Sequence, residues 1–338
     1  MKNGSSRIWR YYLTILSIYI LASCAPQEQY FNINAPFTPR ISDDDIIVGD
    51  GTALTLKRWI PGDTPDAVIL GLHGFNDYSA AFTPVGEYMQ HHNIAVYAYD
   101  QRGFGTSGTR GVWAGRYNFI RDVSHVLDAL RQRYPNIPIY VMGESMGGAI
   151  SISAASIDAL EQADGVILTA PAIWGGSNMS TLYRIPLWIA AHIAPSYKVS
   201  GGGLELLPTD NIALLRAMSY DPNVIKTTRL DAIYGLVDIM DEAYRNITNI
   251  NMPVLVLYGA KDDIVPPEPF KDYVDESSHL FHHVFAYYPN GYHMITRDIH
   301  AYQVLEDIVS WIHNKNAPLP SGADVDAAYW LTYDMQER

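Results

Sequence analysis

The chain has 338 residues, of which 48% are hydrophobic, and its formal net charge is −13 at pH 7. This length and apolar fraction suffice for one large hydrophobic core, or for a core with an inserted subdomain. No basic cluster interrupts the negative charge along the sequence, which argues against nucleic acid or an anionic membrane surface as the main binding partner.

Residues 1–23 have the composition of a signal peptide. Three basic residues precede an apolar run from Tyr11 to Leu21, which is shorter than the roughly 20 residues that a membrane-spanning helix requires. The run leads into Leu-Ala-Ser-Cys at residues 21–24, which resembles a bacterial lipobox. We therefore expect cleavage before Cys24, the only cysteine in the chain, which would then carry a lipid anchor. An ordinary secretory signal with a chance cysteine is the alternative.

The residue after the cysteine bears on the destination of such a lipoprotein. Ala25, where an aspartate could stand, resembles lipoproteins that are sent to an outer membrane. The expected location is therefore the bacterial cell envelope, with the protein lipid-anchored at the outer membrane. Residues 24–43 contain three prolines among polar residues and show no periodicity, which predicts an extended tether between the anchor and the folded domain.

Strand and helix signals alternate from residue 44 to residue 171. Two short strands near 46–48 and 52–59 are predicted to form a hairpin that turns at Asp50-Gly51. Uninterrupted apolar runs, as doubly covered parallel strands require, follow further along the chain. These strands are predicted at 67–72, 94–99, 139–142 and 165–169, with helices at about 79–92 and 117–134. The alternation predicts a mostly parallel sheet with helices on both faces.

The hexapeptide Gly-Glu-Ser-Met-Gly-Gly at 143–148 lies between a predicted strand and a predicted helix. Gly-x-Ser-x-Gly in this context is the pattern of a nucleophile elbow. The sharp turn strains the backbone of the serine and leaves no room for side chains at Gly143 and Gly147. The hydroxyl of Ser145 should then project beside a helix N-terminus, which makes Ser145 the candidate nucleophile.

The alternation stops after residue 171, and residues 172–251 are predicted to form an inserted lid. This region contains several prolines, three consecutive glycines and two helical stretches, near 211–219 and 228–245. Its segment 182–191 is strongly apolar. This segment would either face a lipid-like substrate or pack the lid onto the core.

Strand signals return at 253–258 and 282–288, and an amphipathic helix is predicted at about 296–313. Two carboxylates, Asp262 and Asp263, follow the first of these strands, where the acid of a catalytic triad should stand. Asp262 is favoured, because the apolar residues after Asp263 redirect the chain and leave Asp263 as a turn residue. Residues 316–338 form a C-terminal extension to which no role is assigned.

A general base is expected in the loop after the last strand, and His293 lies there. The other histidines after the lid lie in or beside a strand or within the last helix. Two backbone N–H groups are expected to form the oxyanion hole, those of Met146, directly after the serine, and of Phe75, after the first long strand. His73 is expected to be a structural hydrogen-bonding residue. No metal-ligand pattern is present, so no metal or cofactor is predicted.

Taken together, these motifs resemble the α/β-hydrolase branch that holds monoacylglycerol lipases, lysophospholipases and the related serine aminopeptidases. The order Ser145, Asp262, His293 is the nucleophile–acid–base order of that fold. The motifs are His-Gly-Phe at 73–75, Asp-x-Arg-Gly-x-Gly-x-Ser at 100–107, Gly-x-Ser-Met-Gly-Gly at 143–148, Gly-x-x-Asp-x-Ile-Val-Pro at 259–266 and Gly-Tyr-His at 291–293. The sequence departs from the family at Glu144, where monoacylglycerol lipases often have a histidine.

The resemblance implies an α/β fold with an eight-stranded, mostly parallel sheet, a core formed by residues 44–171 and 252–315, and an inserted helical lid. It also implies hydrolysis of carboxylic esters of lipid-like substrates, of the monoacylglycerol or lysophospholipid type, through an acyl-enzyme on Ser145. A peptidase or amidase of the same fold is one alternative. A non-catalytic envelope lipoprotein that uses the fold as a binding scaffold is another, which the complete triad disfavours.

Overall fold

The computed structural model describes residues 11–12, 25–32, 37–175, 179–201, 206–277, 280, 282–325 and 327. Cys24, the predicted site of lipid attachment, lies outside the described residues, as do almost all of the predicted signal peptide and residues 328–338. None of the helices in the described part of the chain combines the length and apolar character that crossing a membrane requires.

Eleven strands are present among the described residues, and nine of them form one sheet. Their bounds are β1 Arg40–Ile41, β2 Asp45–Ile47, β3 Ala53–Trp59, β4 Ala67–Leu72, β5 Ile94–Tyr99, β6 Ile139–Glu144, β7 Gly165–Thr169, β8 Lys198–Val199, β9 Thr228–Arg229, β10 Val254–Gly259 and β11 His283–Tyr288. The large sheet has the order β1-β2-β3-β5-β4-β6-β7-β10-β11, and β8 pairs with β9 separately.

The large sheet is mostly parallel, as predicted. The six strands from β5 to β11 in the sheet order are mutually parallel, whereas β1, β2 and β3 add to one edge in antiparallel pairs. All eight predicted strands are present, and the two-residue β1 makes the ninth. Gly51, at the tip of the predicted hairpin, has a φ of 83°, a conformation that glycine adopts without strain.

Helices cover both faces of the sheet. Their bounds are α1 Thr83–His91, preceded by a 3-10 turn, α2 Arg116–Arg133, α3 Met146–Ala155, α4 Thr181–Ile193, α5 Ile212–Tyr220, α6 Leu230–Asn246, α7 Pro267–Ser277 and α8 Ala301–His313. Alternate residues of each inner strand enter opposite cores: Val68 and Leu70 of β4 pack with α2, α3 and α7, whereas Ile69 packs with α1 and α8. This double burial explains the uninterrupted apolar runs of the central strands.

The last helix is shorter than predicted, because it begins at Ala301 and not near residue 296. The preceding residues form turns in which polar groups bind the site loops. The carboxylate of Asp298 accepts a hydrogen bond from the hydroxyl of Thr209 at 2.6 Å and one from the backbone N–H of Tyr292 at 2.8 Å. These contacts hold residues 294–300 in a non-helical path despite their apolar periodicity.

Helix α4 contains the apolar segment 182–191, and most of its large side chains are exposed. Leu182 is 73% exposed and Trp188 51% exposed, whereas Ala191 is fully buried. The interpretation that this segment packs the lid onto the core therefore fits only the face of α4 that contains Ala191. In the insertion at 172–251, which is predicted to be a lid and is called the lid below, helix α6 packs instead on α3 of the core and on α4.

Residues 25–32, within the predicted tether, lie against the folded body. The backbone N–H of Gln29 donates to the carbonyl oxygen of Trp113 at 3.0 Å, and its side-chain amide donates to that of Val112 at 2.8 Å. The backbone N–H of Gln27 donates to the carboxylate of Asp231 in α6 at 3.3 Å. This part of the segment therefore bridges the core and the lid.

Candidate active site

Ser145 occupies a strained turn between β6 and α3. Its φ is 53° and its ψ is −114°, a conformation that a non-glycine residue rarely adopts. A β-carbon at Gly147 would lie 2.0 Å from the carbonyl oxygen of Leu72, and one at Gly143 would lie 2.4 Å from that of Gly147. Only glycine fits at these two positions, so the geometry explains why the motif has this spacing.

His293 and Asp262 meet at the carboxyl edge of the sheet. Nδ1 of His293 lies 2.8 Å from Oδ2 of Asp262, and both residues are buried. Oδ1 of the same carboxylate accepts the backbone N–H groups of Ile264 and Val265 at 2.8 and 2.9 Å. Asp263 is exposed. Of the two candidate carboxylates, the structure therefore brings Asp262, and not Asp263, to the histidine.

Ser145 and His293 line the same cavity, which has a volume of about 320 Å³. The lid and the loop after β10 supply most of its apolar wall. Their apolar contributions include Pro208, Met218, Val224, Leu236, Met240, Ile264 and Val265. The apolar segment of α4 does not contribute to this lining, so the interpretation that it faces the substrate in this cavity is not supported. Across the described residues, no group of three or more His, Cys, Asp or Glu side chains is placed to hold a metal ion.

The two predicted oxyanion-hole residues belong to the elbow and to the loop after β4. Met146 is the first residue of α3, where backbone N–H groups have no partner within the helix. Phe75 lies in the loop after β4, which we call the oxyanion loop and define as residues 73–78. This loop approaches the serine closely, because a β-carbon at Gly74 would lie 3.5 Å from that of Ser145. Phe75 itself lines the cavity.

His73 holds the base of the oxyanion loop. Its Nε2 accepts the backbone N–H of Gln101 at 3.0 Å, so its Nδ1 donates to the carbonyl oxygen of Gly74, at 2.8 Å. Complete burial lowers the pKa of His73, which keeps the ring neutral and suited to this pair of bonds. The carboxylate of Asp100 accepts the N–H of Ser79 at 2.9 Å. The loop that follows β5 is therefore structural, as is His73.

A buried ion network beside Ser145 was not predicted from the sequence. Arg297 donates from Nη1 to Asp77 at 2.8 Å and from Nη2 to Glu144, and all three side chains are buried. Burial raises the pKa of the Glu144 carboxyl, whereas the two carboxylates raise that of Arg297. In the sequence, Glu144 stands out only as a departure from the family, and Arg297 belongs to no motif. The sole sequence signal was an arginine four residues after the candidate base.

The lid also contacts the oxyanion loop. The backbone N–H of Ile225 donates to the carbonyl oxygen of Asn76 at 2.9 Å, and the Asn76 side chain donates to the hydroxyl of Thr228 at 2.8 Å. Both partners belong to the segment between α5 and α6. The lid is therefore attached to the loop that carries Phe75.

Curated relatives of this chain include lipases from animals and bacteria. The monoglyceride lipase of Mus musculus is 26% identical over 283 residues, which cover 82% of this chain and 92% of the relative. The monoacylglycerol lipase of Mycolicibacterium smegmatis is 26% identical over 277 residues, which cover 78% of this chain and 93% of the relative.

Solved structures of similar fold include further lipases. A soluble variant of monoglyceride lipase from Saccharomyces cerevisiae, in complex with a substrate analog, superposes with a TM-score of 0.69 at 20% identity and covers 86% of this chain and 99% of its own. The monoacylglycerol lipase of Paleococcus ferrophilus gives a TM-score of 0.66 at 22% identity, with coverage of 77% and 98%. These likenesses establish the α/β-hydrolase fold.

The family model described as serine aminopeptidase, S33, matches residues 63–300, well over half of the chain. The matched range contains the Ser145 elbow, the inserted lid and the Asp262–His293 pair. It also contains Phe75 and Arg297. The chain therefore belongs to the serine aminopeptidase S33 family.

Proposed function

We propose that this protein is a serine hydrolase that cleaves carboxylic esters of lipid-like substrates, of the monoacylglycerol or lysophospholipid type. The observation that carries the proposal is the 2.8 Å contact between His293 and Asp262 beside the cavity that contains Ser145. The names of the relatives, monoglyceride and monoacylglycerol lipases, support the substrate class. Neither a metal nor a cofactor is needed for this chemistry.

The reaction proceeds in two steps. Nδ1–H of His293 donates to Asp262, so Nε2 is the acceptor that takes the proton of Ser145 as Oγ attacks the ester carbonyl carbon. The N–H groups of Phe75 and Met146 stabilise the oxyanion. The tetrahedral intermediate expels the alcohol, which receives the proton from His293. Water, deprotonated by His293, then attacks the acyl carbonyl carbon. The bond from that carbon to Oγ breaks, His293 returns the proton to Ser145, and the carboxylic acid is released.

The cavity lining supports an acyl chain as the bound group. Its wall is mostly apolar, and methionines such as Met218 and Met240 adapt to flexible chains. The polar side chains of the lining include Asp77, Glu144 and Arg297, which are paired with one another beside Ser145. The proposed arrangement therefore has the ester at Ser145, beside these polar groups, and the acyl chain along the apolar wall.

A fluorophosphonate probe tests the nucleophile directly. The wild-type protein should form a covalent adduct on Ser145, and Ser145→Ala should not. A folded wild-type protein that remains unlabelled would favour the non-catalytic scaffold.

A substrate panel tests the substrate class. Initial rates should be compared for a monoacylglycerol, a lysophospholipid, a short p-nitrophenyl ester and an aminoacyl amide. Hydrolysis of the lipid esters in clear excess over the amide is the expected result. The reverse order would favour the peptidase or amidase alternative, which the family description also allows.

We further propose that the protein is a lipid-anchored component of the bacterial cell envelope, at the outer membrane. The support is the lipobox-like sequence at residues 21–24, with Cys24 as the only cysteine. Metabolic labelling with a fatty-acid analogue in a bacterial host should mark the wild-type protein, and Cys24→Ala should abolish the label. Continued labelling of that variant would contradict the anchor, whereas cell fractionation would identify the membrane.

A further inference from the structure

We propose that Arg297 is a positioning residue that fixes the two halves of the oxyanion hole relative to each other. The inference rests on the proposed function, since an oxyanion hole has meaning only for an acyl-transfer enzyme. One half, the N–H of Phe75, belongs to the oxyanion loop, and the other, the N–H of Met146, belongs to the elbow. These are separate pieces of chain, yet their donors must hold one oxygen atom to within about 0.5 Å.

Arg297 connects these two pieces directly. Asp77, which accepts a hydrogen bond from Nη1 at 2.8 Å, lies two residues after Phe75. Glu144, which accepts a hydrogen bond from Nη2, lies two residues before Met146. The guanidinium is planar and rigid, so two carboxylates bound to its two terminal nitrogens are held at a fixed separation. The bridge therefore transmits this separation to the two N–H donors.

The arginine is itself held by the loop that carries the base. Its backbone N–H donates to the carbonyl oxygen of Met294, next to His293, at 2.7 Å. The following residue, Asp298, is bound to the lid through Thr209. Through its side chain and its backbone, Arg297 thus joins the oxyanion loop, the elbow and the loop that carries His293.

Because these ion pairs are buried, the network is better explained by the positions that it fixes than by a contribution to stability. The side chains of Arg297, Asp77 and Glu144 are only 3%, 8% and 6% exposed in the two ion pairs. Removing charges from water costs free energy that their attraction often fails to recover, so buried ion pairs are weak contributors to stability. A rigid link between two catalytic segments accounts for their presence at the elbow.

The test compares Arg297→Gln and Arg297→Lys with the wild-type protein on a water-soluble p-nitrophenyl ester. Arg297→Gln should lower kcat by about 10²-fold, the loss that removal of one oxyanion donor causes, with KM changed less than about threefold. Arg297→Lys, which keeps the charge but not the fork, should recover part of kcat. Arg131→Gln is the control for loss of an arginine elsewhere in the chain, because Arg131 binds the carboxylate of Asp164, is 24% exposed and lies outside the cavity.

A trifluoromethyl ketone provides a readout that loss of folded protein would not change. The serine oxygen attacks the ketone carbonyl carbon and forms a tetrahedral oxyanion. The inhibition constant of the ketone therefore measures how well the oxyanion hole stabilises that charge. The constant should rise in parallel with the loss of kcat/KM across the variants. Binding of an unreactive ether analogue of the substrate should stay within about threefold, because ground-state binding does not use the oxyanion hole.

Two isosteric variants keep the proposal testable if Arg297→Gln does not fold. Asp77→Asn and Glu144→Gln each weaken one arm of the bridge and should each lower kcat and ketone affinity together. Unchanged kcat in folded Arg297→Gln, or in both single-arm variants, would overturn the proposal. The proposal would also be overturned if a variant bound the ether analogue more weakly and its affinity for the ketone fell by no more than its affinity for the ether. Fluorophosphonate labelling of the wild-type protein separates these outcomes from failure of the proposed function.

Discussion

The hydroxyl of Tyr78 donates to the carboxylate of Asp221 across 2.7 Å and so joins the oxyanion loop to the lid. Two further bonds run in parallel, from Ile225 to the backbone of Asn76 and from the Asn76 amide to Thr228. Displacement of this lid segment would break these bonds or pull on the loop that carries the Phe75 N–H. These bonds would therefore couple the position of the lid to the geometry of the proposed oxyanion hole.

Removing one of these bonds should affect catalysis as well as stability. Tyr78→Phe loses a hydrogen bond worth about 1 kcal/mol, and we expect kcat to fall by about two- to fivefold. Burial and the adjacent Asp221 raise the pKa of Tyr78 to about 12, so the hydroxyl remains the donor at any working pH. Steady-state rates with a soluble ester measure the effect.

Tyr244→Phe is the matched control for that substitution. Tyr244, which is half-buried like Tyr78, donates to Asp272 at 3.0 Å, and it does not line the cavity. An equal loss of kcat in both variants would contradict the coupling between lid and loop.

The identity of the triad acid can be tested with two neighbouring substitutions. Asp262→Asn should lower kcat by about 10⁴-fold, because an amide at this position favours the wrong tautomer of His293. Asp263→Asn should leave kcat within about twofold, as expected of a surface substitution at an exposed side chain. Steady-state kinetics on folded protein provide the measurement, and a reversed pattern would assign the acid to Asp263.

Much of the fold could be predicted because it depends on local patterns. Uninterrupted apolar runs marked the central strands, such as β4 and β6, since these are buried on both faces. The elbow was recognisable because Ser145 needs glycine on both sides within five residues. Asp262 and His293 could be predicted because each follows a strand that the apolar pattern indicates, β10 and β11 respectively.

The part that could not be predicted depends on contacts between distant residues. Arg297 binds Asp77 and Glu144, which are 220 and 153 residues away, and such pairs leave no periodic signal in a single sequence. The same holds for the docking of residues 25–32, for which the proline and polar composition predicts an extended tether. The prediction that the last helix begins near residue 296 was wrong. Asp298 binds Thr209 and Tyr292, and these contacts keep the chain before Ala301 out of the helix.

The glycines of the elbow should not tolerate even one methyl group. Gly147→Ala would place its β-carbon 2.0 Å from the Leu72 carbonyl oxygen, and neither backbone can move without disturbing the sheet. We expect loss of fluorophosphonate labelling and destabilisation of about 3 kcal/mol or more. Gly62→Ala is the control, since its β-carbon meets no atom within 4 Å, and it should be neutral or slightly stabilising. Urea unfolding measures both, and equal effects would show that the turn is less tightly constrained.

Phe31 should contribute to stability although it lies in the predicted tether. Its ring lies below the guanidinium groups of Arg102 and Arg121, at 5.3 and 4.9 Å from the ring centroid. Phe31→Ala should lower the free energy of unfolding by about 1–2 kcal/mol, the sum of two cation–π contacts. Tyr30→Ala is the control, because Tyr30 is 76% exposed, and it should change stability by less than about 0.5 kcal/mol. Equal unfolding curves for the two variants would mean that residues 25–32 are not held on the body in solution.

The raised pKa of Glu144 predicts a pH dependence of stability with a defined sign. Burial, followed by the charge of Asp77, holds the proton on Glu144 more tightly in the folded than in the unfolded chain, although Arg297 opposes this. The folded state therefore binds more protons between the ordinary pKa of 4.5 and the raised value, so stability falls as pH rises through this window. Glu144→Gln cannot ionise and should lack this contribution.

Urea unfolding at a series of pH values from about 4 to 8 measures the contribution of Glu144 to stability when the wild-type protein is compared with Glu144→Gln. Subtracting the two curves removes the titration of all other groups that the substitution leaves unchanged. The difference in free energy should shift towards the glutamine variant as pH rises above 4.5 and become constant above the folded-state pKa. A difference that shifts towards the wild-type protein would mean that the attraction of Arg297 outweighs the burial of Glu144. In that case the carboxylate is ionised at all working pH values, and the bridge between the two halves of the oxyanion hole is charged throughout.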